Sequence, residues 1–155
     1  MLSSVSSARV DFQALLAVIL CVLAIFRGGS PERLVAATIA GMWLIDKLFH
    51  ALAQAANHAA LVPTGHLLVD VLALSGFVGI ALYANRVYPL WIAGFQLISL
   101  VAHIVRLLNP AIGHIALTIL MIVPSYLEIL AFAIGTWHHL RRSRLTTPAP
   151  SSKDF

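Results

Sequence analysis

The side chains best able to do chemistry here are seven histidines and six carboxylates, set in a chain of 155 residues that is 60% hydrophobic. Asp46, Asp70 and Glu128 stand inside apolar runs. An ionisable group in the middle of a membrane costs roughly 2.5–3.5 kcal/mol even on the mildest insertion scale, so such groups turn toward protein partners. A helix advances 100° per residue, and spacings of three, four and seven share a face. Asp46, His50, Gln54 and Asn57 follow steps of four, four and three, and His66 and Asp70 lie one turn apart. Gln96, Ser99, His103 and Arg106 follow steps of three, four and three; His114, Thr118, Ser125 and Glu128 follow four, seven and three. Four polar stripes on otherwise apolar helices are hidden most economically by facing one another in one shared seam.

Such a seam suits several chemistries. Imidazoles one turn from carboxylates are what metal ligands and the groups that orient them require. His50, His66, His103 and His114 are the candidate ligands, for a divalent metal ion or, through axial imidazoles, a haem. Asp46 and Asp70 would ligate or orient them. A proton or ion path could run through Glu128, Gln96, Asp46 and the histidines. A hydrolase would need Ser99 beside His103 with Asp70 orienting the ring, but no nucleophile-elbow glycines surround Ser99. There is no H-E-x-x-H and no Cys–His finger spacing, and no P-loop or dinucleotide glycine pattern. The reading with fewest demands is non-enzymatic: a ligand-binding protein, or a subunit of a membrane complex, using the seam.

Each group also has a structural explanation. Lys47 can snorkel. Arg106, His138 and His139 suit a membrane interface, as do Trp43, Tyr88, Trp91 and Trp137. Asp46–His50 and His66–Asp70 can hide each other within their own helices. The stripe of the last helix can join helices whose small-residue contacts are Gly41, Gly76 and Gly79. Cys21 is alone and so forms no internal disulfide; it serves as a small apolar filler.

The elements that must position these side chains are membrane-length helices. A spanning helix needs about 20 mostly apolar residues. Five stretches approach this, at about 10–26, 33–56, 66–84, 88–108 and 111–140. The fold expected is therefore an all-α integral membrane bundle of five transmembrane helices with short loops, over residues 1–140. A disordered tail, basic and then Pro/Ser-rich, follows at 141–155. Ser30, Pro31 and Glu32 read as the cap, first position and dipole-complementing acid of the second helix, with Glu32 in reach of water. Pro63-Thr64-Gly65 reads as a break between helices, and Pro124 as a kink in the fifth.

Composition excludes the main alternative. Charged residues are 10% of the chain and mean hydropathy is +0.92, against about 25% charged for a soluble domain. The net charge of +4 does not form a stripe for nucleic acid. Arg27, Arg33, Arg86, Arg141, Arg142, Arg144 and Lys153 would fall on one side of five spans, with Arg9 and Arg106 on the other. The positive-inside rule then puts the N-terminus outside and the C-terminus in the cytoplasm of a bacterial inner membrane. The bilayer is the expected partner, with a homo-oligomer or larger complex beside it. His50, His58, His66, His103 and His114 would gather toward the outer side.

Overall fold

A computed structural model describes residues 2–57, 61–109 and 114–145, with the backbone alone at 2–10, 61, 63, 114, 144 and 145. The helices are α1 (Leu2–Arg27), α2 (Ser30–Ala55), α3 (Leu61–Ala84), α4 (Tyr88–Leu108) and α5 (His114–Leu145). No strand occurs among the described residues. Each helix packs on its sequence neighbours, α1 closes onto α5, and α2 touches α5 across the ring. The chain runs up and down, so the α2–α3 connection marks one end of the bundle, here the histidine end. Arg27, Arg33, Arg86, Arg141 and Arg142 lie toward the opposite, arginine end.

Four helical segments are long and apolar enough to cross a membrane: Ser30–Ala55, Thr64–Ala84, Tyr88–Leu108 and Ile115–Ser143. The outer surface agrees in chemistry. Leu44, Leu82 and Leu108 are 72%, 83% and 80% exposed, an apolar exterior that water would not tolerate and acyl chains would. Phe77, Ile92 and Phe132, from α3, α4 and α5, are wholly buried, with Val35 and Ala36 of α2 beside them. The Cys21 thiol is buried and donates to the Ala36 carbonyl at 3.7 Å.

Several boundaries depart from the sequence reading. Gly29, not Ser30, occupies the cap of α2, and Ser30 and Pro31 are the first helical residues. Pro63-Thr64-Gly65 does not break the chain but lies in the first turns of α3. The reason is that the first four N–H groups of a helix have no intrahelical acceptor, so proline forfeits nothing there. Gly65 is where α3 meets α2, since a Cβ would lie 2.9 Å from the Phe49 ring. Residues 141–145 are not tail but the end of α5, where arginines complement the helix dipole; residues 146–155 lie outside the described residues. α5 runs on as helix through Pro124. Of the three glycines expected at helix contacts, only Gly76 has a close neighbour among the described residues, with Thr38 3.2 Å from its would-be Cβ.

Candidate functional site

The polar phases of α2, α3 and α4 meet at the histidine end. α2 supplies Asp46 and His50, and α3 supplies His66 one helix away. His66 Nδ1 stands 2.8 Å from Asp46 Oδ1, while His50 Nε2 lies 3.9 Å from Asp46 Oδ2. One atom from each of these three residues falls within 4.8 Å of the others, close enough to share a cation. The His50 and His66 rings meet edge-on at 5.1 Å between centroids. His103 of α4 stacks on His66 at 6.0 Å, with planes 13° apart. Three imidazoles from three helices therefore adjoin, with His66 in the middle.

Behind this cluster lies a more buried one. Asp70 is 8% exposed; its Oδ1 accepts from Gln96 Nε2 at 2.9 Å and its Oδ2 faces His103 Nδ1. Gln96 is itself 1% exposed. Glu128 of α5 is within electrostatic reach of Asp70, and its Oε1 is sealed from solvent without a hydrogen bond. A cleft of about 330 Å³ opens beside these groups, lined by Asp11, Asp46, Lys47, His66 and Asp70 among others. Three carboxylates against one ammonium give the cleft an acidic lining. Asp11 of α1 joins it although no stripe singled it out; it stands at the start of the first apolar run.

Other residues of the stripes do not join. Gln54, Asn57, Arg106 and Thr118 are exposed. Asn57 ends α2 instead, at a φ of 55° that asparagine tolerates. Ser125 is used locally, donating to the Ile122 carbonyl at 2.8 Å. Ser99 is buried, but among the described residues no hydrogen bond ties it to His103. His58 and the side chain of His114 lie outside the described residues.

A second polar cluster, missed in the sequence, occupies the arginine end. Glu32 does not reach water: it is 1% exposed. His139 Nδ1 lies 3.8 Å from Glu32 Oε2, and the Tyr88 hydroxyl lies beside the same carboxylate. Glycines make the room. A Cβ at Gly29 would stand 2.9 Å from His139 Cε1 and 3.0 Å from Glu32 Oε2, and one at Gly135 would stand 2.6 Å from the Tyr88 ring. The signal was present: Glu32 precedes the buried Val35 and Ala36 by three and four residues, so it shares their face.

Together these features define an all-helical bundle with span-capable helices and a His/Asp/His group at one end. Comparison of the chain with protein-family models, with curated proteins and with solved structures gives no significant match in any of the three.

Proposed function

We propose that this is a small multi-pass protein of a bacterial inner membrane, non-enzymatic, that binds a divalent transition-metal ion at its periplasmic end. In this reading α1 is the fifth span, the arginine end faces the cytoplasm with the C-terminus, and the N-terminus lies outside. The excess of arginine at one end supports that orientation.

The observation that carries the metal reading is the Asp46, His50 and His66 group, with ligand atoms within 4.8 Å. Zinc holds imidazole nitrogens at about 2.0–2.1 Å in a tetrahedron, which sets ligand atoms about 3.4 Å apart. Closing the group needs a shift of about 1 Å in half-exposed side chains. The 2.8 Å contact between Asp46 and His66 holds a proton that an ion would displace. Mixed imidazole and carboxylate donors suit zinc, manganese, iron or nickel better than calcium or magnesium. His103, fixed by Asp70, supports His66 from behind by ring stacking. Haem fits less well, because His66 and His103 present faces rather than ring nitrogens to each other.

The test is zinc stoichiometry on the purified, metal-stripped chain. One zinc per chain is expected, lost in Asp46→Ala. A wild-type protein that takes up no stoichiometric metal from zinc, manganese, iron or nickel sinks the metal reading.

One observation favours a second reading, proton or ion movement. Asp46, His66, His103, Asp70 and Gln96 form a run of neighbouring polar groups, bridged between His66 and His103 by ring stacking alone, that leads toward Glu128. A chain this small would need to assemble as an oligomer or with a larger complex to form a path.

A further inference from the structure

The Asp46, His50 and His66 group offers three donors, whereas zinc ordinarily takes four. The neighbouring polar groups are engaged elsewhere. His103 turns its Nδ1 to Asp70 and its ring face to His66. Asp70 is taken up by Gln96 and His103. Asp11 does not enter the group whose donor atoms lie within 4.8 Å of one another. A fourth position is thus left to a donor from outside the chain. Asp46 and His66 stand in the wall of the cleft of about 330 Å³, so that position opens into it. An ion and one water need far less room, and small-molecule sites begin near about 300 Å³. Met42, Trp43 and Val69 give the cleft an apolar wall, while Asp11 of α1 and Lys47 of α2 bring opposite charges to it. Both are exposed, and among the described residues neither has an ion-pair partner.

We propose that the metal site takes a free α-amino acid with an apolar side chain as its outside ligand. Charge selects a zwitterion. Asp11, Asp46 and Asp70 are balanced by Lys47 together with a divalent ion, the imidazoles being neutral. An added anion leaves the cleft negative, and an added amine leaves it positive. A zwitterion keeps the balance and gives both unpaired groups a partner. Its carboxylate fills the open metal position beside Lys47, its ammonium pairs with Asp11, and its side chain lies along Met42, Trp43 and Val69. The inference rests on the metal reading and adds to it the class of ligand.

The experiment is equilibrium dialysis of labelled leucine against the full chain in detergent, zinc-loaded and metal-stripped, with zinc counted in the same samples. One leucine per zinc-loaded chain is expected, and stripping the zinc should weaken binding at least tenfold, the worth of one interaction with a charged group. Isocaproate and isoamylamine are leucine without its ammonium and leucine without its carboxylate. Each should compete at least tenfold more weakly than leucine itself. Lys47→Gln and Asp11→Asn alter exposed side chains and so leave the fold intact. Each should weaken leucine about tenfold while one zinc per chain is kept. Equal binding with and without zinc overturns the proposal, as does either analogue competing as well as leucine. So does loss of zinc in Asp11→Asn, which makes Asp11 the fourth ligand. A wild-type chain that holds zinc but no leucine overturns this inference alone; one that holds no metal overturns the metal reading and this inference with it.

Discussion

The two ends of the bundle solve the same problem in opposite ways. At the histidine end Asp46 is about a third exposed and has gathered two imidazoles around it. At the arginine end Glu32 is 1% exposed, yet its nearest cation candidate, His139, stands off at 3.8 Å. Groups with water nearby can find their own partners, because water covers any shortfall. A carboxylate sealed among glycines and a tyrosine has no such cover, and it depends on the few groups packed against it. Asp70 stands between the two cases: buried, with Oδ1 accepting from Gln96 and Oδ2 facing the His103 ring.

Substitutions can break this contrast at several levels. The largest effect is expected at Asp70. Asp70→Ala strands His103 and Gln96 in the interior and should cost about 3 kcal/mol of stability, read by denaturant unfolding in micelles. Asp46→Ala in metal-free protein should cost less than about 1 kcal/mol, because its partners can reach water. Equal losses at the two positions would erase the distinction between them. Next, His66→Ala removes the central ring and should weaken zinc binding about 100-fold by isothermal calorimetry. His103→Ala touches only the supporting ring, and a loss of about 10-fold is expected. A larger loss at His103 than at His66 would reverse the assignment of ligand and support. At the opposite end Gly29→Ala pushes a methyl into Glu32 and His139, at about 1 kcal/mol. Gly41→Ala meets open space and should fall within about 0.5 kcal/mol of wild type, or raise stability. If Gly29→Ala proves as mild as Gly41→Ala, the glycine cradle is not tight.

What could be read from the sequence divides along physical lines. Helix existence was legible, because runs of apolar residues near membrane length have few other solutions. That Asp46 and His66 lie at related depths was legible, since each is in the half of its helix nearest the α2–α3 connection, but their contact was not. Which helices adjoin was not, because packing order depends on side-chain fit that stripe phases do not encode. That is why Thr118 was grouped with Glu128 yet lies exposed. Glu32 was misplaced by a local rule: an acid in a first turn complements the helix dipole whether buried or not. The longer periodicity, which set it on the face of Val35, contradicted that rule and prevailed. Pro63 misled for the same reason, being a breaker in mid-helix and harmless in a first turn.

The buried layer of Phe77, Ile92 and Phe132 has an electrical consequence. Along α5 it separates Glu128 from Thr136, eight residues or about 12 Å at 1.5 Å per residue. A slab of that thickness with no charged side chain acts as the dielectric of a capacitor, with the two polar clusters as its plates. In a bundle that spans an energised membrane, an elementary charge carried through 100 mV exchanges about 2.3 kcal/mol with the field, so passage from one cluster to the other would be voltage-dependent in proportion to the share of the field that the slab bears.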